Sequence, residues 1–308
     1  MPRAVRDVPT MISVDERALL YVLARDYYTH VGKIVDAGCF LGGSTLALAQ
    51  GVLDRDPPIG EPVIVTFDRF KLDKGSFSPY AALLAGLRPG DSLRPAFDAV
   101  MGNRQRVVNV REGDIQCEHW SAGPIEILFI DLAKSWSIND HVTRTFFPAL
   151  IPGTSVVIQQ DYIHEWTPWL HITMELLEDA FDYSGTVAPC SALFTPRRRI
   201  TADELPRNLF RDVPHVQKLA LYDRSVGRFD AEARGVLECG RAYLLHLLGD
   251  TSAAQIQLDH VAETYAGPRV ETILPQMRKV CVEPRYRRVL SRLGLGRPRI
   301  ALDAARAA

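Results

Sequence analysis

The chain has no paired cysteines. Its five (Cys39, Cys117, Cys190, Cys239 and Cys281) are an odd, scattered set with no short spacing. That excludes a disulfide framework and a zinc knuckle, and it points to reduced thiols in a cytoplasmic setting. Net charge is nearly absent as well: 36 Lys and Arg balance 37 Asp and Glu, leaving −1. A chain so balanced is not expected to bind nucleic acid through its overall field. No apolar run approaches the roughly 20 residues that span a bilayer, so no membrane contact is expected. Met1–Asp7 lacks the apolar core of a signal peptide. What remains is ordinary for a globular protein: 308 residues, 47% hydrophobic and 24% charged, enough for one large domain or two modest ones.

One stretch carries the most information. Lys33-Ile34-Val35-Asp36-Ala37-Gly38-Cys39-Phe40-Leu41-Gly42-Gly43-Ser44-Thr45 reads as a buried strand, a glycine turn and a helix start. Glycine permits positive φ and leaves space where a Cβ would intrude on a ligand. The first turn of the helix then offers unpaired N–H groups and the positive end of its dipole. Upstream, Ser13 and Glu16 have the spacing of a capping box, which predicts a helix running to about Tyr28.

Four further β-branched runs follow: Val63–Asp68, Val107–Val110, Ile125–Asp131 and Ser155–Asp161. Helical patterns near Leu93–Met101 and Asn139–Phe147 fall between them. Continuous apolar strands alternating with helices predict a parallel sheet covered on both faces. Ligands of such sheets sit beyond the carboxyl ends of the strands. Four of the runs reach an acid there (Asp36, Asp68, Asp131, Asp161), and Gly113-Asp114 follows the remaining one. Packing alone gives no reason for carboxylates to recur at one edge. The stretch Tyr183–Thr195 reads as two short strands, an antiparallel pair closing the sheet at one end. The expected fold is therefore a Rossmann-like, doubly wound, mostly parallel α/β sheet of seven strands, followed by a C-terminal α-helical region.

From Thr201 the pattern becomes purely helical. Asp230–Leu248 and Ser252–Tyr265 are amphipathic and are separated by Gly249-Asp250. The expected division is residues 1–200 for the sheet domain and 201–308 for the helical region. An apolar helical face left exposed there would favour a homo-oligomer. The arginine-rich tail (Arg285, Arg287, Arg288, Arg292, Arg297, Arg299) is read as a solvated helix face.

With these residues in place, the stretch from Val31 to Arg199 resembles the class I S-adenosylmethionine (SAM)-dependent methyltransferases. The resemblance implies that SAM's methionine part lies against Asp36, Gly38, Gly42, Gly43 and Ser44. It implies that Asp68 binds both ribose hydroxyls and that Gly113-Asp114 lies near the adenine. A carboxylate suits two vicinal hydroxyls because it accepts through both oxygens. A dinucleotide site fits less well, since the turn lacks Gly-x-Gly-x-x-Gly spacing.

Phe129–Trp136 and Val157–Tyr162 are similar to the branch of macrolide and aminocoumarin sugar O-methyltransferases and cephalosporin-hydroxylase-like proteins. That branch binds Mg2+ through an acid after strand four and two acids after strand five. Here these positions are Asp131, Gln160 and Asp161; an amide oxygen at Gln160 binds a hard cation but brings no charge. The resemblance implies a small-molecule acceptor that is methylated on oxygen. The residues left as candidates for proton removal are Asp131, His164 and His171, with Lys134 pairing with Asp161 or holding an anionic group. Trp166 and Trp169 either line an acceptor pocket or pack. The stretch Lys71–Asp91, with Phe77, Tyr80 and Leu84, is a candidate lid. Two other readings stay open: a SAM-fold scaffold without chemistry, and a SAM-binding partner of an oxygenase.

Overall fold

A computed structural model describes residues 1–72 and 84–282. The lid residues Phe77 and Tyr80 and the arginine-rich tail lie outside the described residues.

Seven strands form one sheet: β1 (Lys33–Ala37), β2 (Ile64–Asp68), β3 (Val108–Glu112), β4 (Ile125–Ile130), β5 (Val156–Gln159), β6 (Phe181–Val187) and β7 (Ser191–Pro196). The helices are α1 (Arg3–Arg6), α2 (Val14–Val22), α3 (Gly43–Leu53), α4 (Arg94–Met101), α5 (Trp136–Phe146), α6 (Pro168–Leu176), α7 (Leu209–Asp212), α8 (His215–Val226), α9 (Ala231–Leu247), α10 (Thr251–Thr264) and α11 (Pro268–Val282). The strand order is β3-β2-β1-β4-β5-β7-β6. β1 to β5 are mutually parallel, and β7 is antiparallel to both of its neighbours. This is the expected α/β sheet with its terminal antiparallel pair and a C-terminal helical region. β1 lies between β2 and β4, so the chain reverses its direction of travel across the sheet there. Such a switch point opens a crevice beyond the strand ends.

The described chain divides into two compact units. The first holds residues 1–132, 141–160 and 180–204, and the second holds 133–140, 161–179 and 205 onward. In the first, Ile34, Ile64, Ile127, Phe129 and Ile158 share one buried cluster with Leu46, Ala47 and Phe97. Burying each of the larger side chains among these contributes roughly 1.5–3 kcal/mol.

Polar ties fix the frame of the first unit. The capping box forms: Ser13 Oγ accepts from Glu16 N, and Glu16 Oε2 accepts from Ser13 N. The same Glu16 takes the Ser191 hydroxyl at 2.6 Å, so one buried carboxylate joins α2 to β7. Glu126, buried within β4, accepts from Thr29 N, Val31 N and Gly32 N and so anchors the approach to β1. The ends of the loop after β2 pair with each other, Leu72 N to Asp91 O at 3.0 Å and Leu93 N to Phe70 O at 2.7 Å. Leu84 packs against the core cluster.

In the second unit α9, α10 and α11 pack around Val236, Tyr243, Leu258, Val261 and Met277. α11 continues through an internal Pro275. No helix among the described residues is long and apolar enough to cross a membrane.

Candidate functional site

The glycine turn is built as its sequence suggests. Gly38 has φ +105° and Gly42 has φ +91°, conformations that L side chains rarely adopt. The turn is also crowded by the protein itself. A Cβ on Gly38 would lie 2.9 Å from the Asp131 carbonyl carbon and the Leu132 nitrogen. One on Gly42 would lie 3.0 Å from the Phe97 ring, and one on Gly43 would lie 2.2 Å from Thr10 Oγ1. Gly42 and Gly43 thus have a packing reason of their own, beside any space a ligand would use. Thr10, from the segment before α2, packs against the first turn of α3.

Asp36 is fully buried and points back into this frame. It accepts from Ser44 Oγ at 3.0 Å and Thr45 Oγ1 at 2.5 Å, which fastens β1 to α3. Burial pushes its carboxyl up from 3.8 to about 6, while the hydroxyl bonds pull the other way. A folded value above the unfolded one means that the native state holds the proton more tightly. The stabilisation is full below the unfolded value and is lost as pH rises through about 6. The effect is on the order of a few kcal/mol. Asp36→Asn is therefore expected to flatten the fall in thermal stability between about pH 4 and pH 6. Unfolding temperatures measured across that range would check it; a variant that falls as steeply as the native chain refutes the assignment.

Asp68 ends β2 and is half-buried. Its Oδ2 accepts from Phe40 N at 2.8 Å and its Oδ1 from Phe70 N at 2.7 Å. The carboxylate thus joins the glycine turn to the loop after β2. Two oxygens offer about four acceptor sites, so two remain unfilled among the described residues. That donor set fits a pair of vicinal hydroxyls. Gly113 N donates to the Asp68 carbonyl at 2.9 Å, and no Cβ contact closer than 3.9 Å crowds Gly113. Asp114 is exposed and caps a short turn by accepting from Gln116 N at 3.1 Å. Asp131 follows β4, and its N–H donates to the Ala37 carbonyl at 2.7 Å. Gly38, Asp68, Gly113 and Asp131 thus gather at one edge of the sheet.

Gln160 follows β5, and its amide nitrogen lies 3.4 Å from Cys190 Sγ. In the second unit Lys134 Nζ is bonded directly to Asp161. Asp161 adopts φ +61°, a left-handed position that aspartate tolerates better than most residues. The Mg2+ ligand set does not fit: Asp161 already holds a cation, and Gln160 supplies no charge. No group of three or more His, Cys, Asp or Glu among the described residues is placed to hold a metal ion.

His171 needs correction as a candidate base. It is fully buried, with Nε2 2.7 Å from the Tyr162 carbonyl and Nδ1 2.8 Å from Ser225 Oγ. Facing a carbonyl, Nε2 carries the proton and Nδ1 accepts the Ser225 hydroxyl. Burial lowers its pKa to about 3, so the ring is neutral and enclosed. Trp169 is packing too: it is buried, and its Nε1 donates to the Ala133 carbonyl at 2.7 Å. Trp166 sets its edge on Tyr243 with ring centres 5.0 Å apart. His164 is half-buried, and its Nδ1 lies 3.3 Å from Oε2 of the buried Glu165. Sequence reasoning missed Glu165, because an acid beside a histidine gives no sign of burial.

No family model matches the chain, and no curated protein matches it. Solved structures do. CalS11, a calicheamicin methyltransferase, is 18% identical over 58% of this chain and 76% of its own, at a TM-score of 0.41. Cofactor-bound Rv0187 from MTB is 16% identical over 64% and 87%, at 0.42. An O-methyltransferase from Bacillus cereus, in complex with SAH, is 17% identical over 62% and 83%, at 0.37. These are distant likenesses.

Proposed function

We propose that this chain is a SAM-dependent methyltransferase that methylates a hydroxyl oxygen of a small-molecule metabolite. The observation that carries the reading is the Asp68 carboxylate. It is held by the Phe40 and Phe70 N–H groups at the edge where β2 meets the glycine turn, with acceptor sites left for a ribose diol. Gly113 beside it suits a flat base, and the turn at Gly38 suits the amino-acid end.

SAM, when bound, supplies a methyl group activated by its sulfonium. The chain's own task is to hold the acceptor in line and to receive its proton. Asp131 and His164 are the residues assigned to the proton, and Lys134, paired with Asp161, is assigned to orienting the acceptor. A chain that binds SAM without transferring methyl is the second reading; Gln160, where a carboxylate would supply charge, favours it.

A methyl-transfer assay over a panel of hydroxylated metabolites separates the two readings. The expected result is product formation that is equal with Mg2+ and with EDTA, because Lys134 occupies Asp161. SAM binding with no product from any hydroxyl acceptor would favour the second reading, and loss of activity in EDTA would contradict the cation assignment.

A further inference from the structure

The segment between β5 and α6 lies outside any strand or helix, so its carbonyls need other donors. Three in a row receive them from side chains. Thr167 Oγ1 donates to the Asp161 carbonyl at 2.7 Å. His171 Nε2 donates to the Tyr162 carbonyl at 2.7 Å, while Ser225 Oγ of α8 holds Nδ1 at 2.8 Å. The Arg269 guanidinium of α11 donates to the Ile163 carbonyl at 2.9 Å. A fourth such bond reaches the chain beside Lys134: Trp169 Nε1 donates to the Ala133 carbonyl at 2.7 Å. Every residue in this set belongs to the second unit. Thr167 precedes α6, and Trp169 and His171 lie on it. All α6 residues from Pro168 to Glu175 are buried, so the donors stand on a helix enclosed on all sides.

Thr167 is the informative residue. It is the N-cap of α6, where a threonine oxygen ordinarily accepts from N–H groups of the first turn. No such bond forms here. The buried hydroxyl turns back to Asp161 instead. Asp161 needs that hold, because its φ of +61° is disfavoured for a residue with a Cβ. Such a conformation persists where the surroundings fix it. What it fixes here is the direction of a carboxylate, which bonds Lys134 Nζ. The lysine side chain is 49% exposed and the aspartate 19%, so the pair shields its acid and leaves its lysine open.

We infer that Thr167, Trp169 and His171 are positioning residues that fix the backbone on both sides of the Lys134–Asp161 pair and so hold it ready to orient the acceptor. The acceptor role rests on the methyltransferase reading, whereas the hold on the pair does not. A lysine side chain is long and rich in rotamers, and ordering it is costly. Anchoring Ala133 and Asp161 beforehand removes part of that cost from the step that aligns the acceptor.

Proton–nitrogen NMR of the lysine side chains in the full chain tests this, with the Lys134 signal identified by its loss in Lys134→Arg. An ammonium held by a carboxylate exchanges its protons slowly enough to be observed. The expected result is a Lys134 signal in the native chain that disappears in Asp161→Asn and in Thr167→Val. Thr167→Ser, which restores the hydroxyl, is expected to keep it. Trp169→Phe removes only the indole donor; it is expected to weaken the signal from the lysine side and stands in if Thr167→Val does not fold. Turnover in Thr167→Val is expected to fall at least tenfold, with the affinity for S-adenosylhomocysteine unchanged. A native chain without the signal, a signal that Thr167→Val leaves unmoved, or full turnover in a variant that has lost it overturns the proposal. Signals that respond as expected in a chain that transfers no methyl remove the acceptor role and leave the hold on the pair.

Discussion

Asp68→Ala is expected to weaken SAM binding at least tenfold. The substitution removes a charged hydrogen-bond acceptor for the ribose hydroxyls, worth about 1.5–3 kcal/mol. It also releases the Phe40 and Phe70 N–H groups that the carboxylate now holds, so the turn and the following loop lose their tie. Asp68→Asn separates the two effects. Asparagine can accept from one of those N–H groups but lacks the second oxygen and the charge, so its affinity should fall between the two. Calorimetric titration of each variant with SAM provides the check, and an affinity unchanged in Asp68→Ala removes the ribose assignment.

His164→Ala is expected to lower turnover by about 10²-fold or more, the usual share of a general base. SAM affinity should stay as it is, because SAM is assigned to Asp68 and the glycine turn. The variant also decides between the two acids and bases named for the proton. Full turnover in His164→Ala would pass the role to Asp131, which follows β4 and whose backbone is pinned to Ala37. Steady-state kinetics over a range of acceptor and SAM concentrations distinguishes a loss in kcat from a loss in binding.

Much of the fold can be read from the chain alone, for a local reason. Ile34-Val35, Ile64-Val65, Ile127-Leu128 and Val157-Ile158 are continuous apolar runs, which only a sheet covered on both faces buries. The Ser13–Glu16 capping box is a signal within four residues, and it forms; Asp230 and Asp250 cap α9 and α10 in the same local way. What the sequence hides depends on distant partners. Gly43 is matched to Thr10, Gly38 to the chain after β4, and Gly240 to Glu165 and the Tyr222 hydroxyl. Glu126 looks like a strand residue and acts as an anchor for the approach to β1. α11 is not among the individual helices expected from the sequence, and it runs on through an internal Pro275, a residue that ordinarily disfavours a helix interior. His171 looks like a base until Tyr162 and Ser225 enclose it. In the site the same division holds. Asp68 is legible because a strand ends there, whereas Glu165 becomes visible only once α9 covers it.

The central claim is that the edge formed by the glycine turn and Asp68 holds an adenosyl sulfonium donor. Titrating purified full-length protein with SAM and with S-adenosylhomocysteine in a calorimeter tests it most directly. Saturable one-to-one binding of both, lost together in Asp68→Ala, is the expected result. No heat of binding from either compound, in a chain that is folded by circular dichroism, would contradict it.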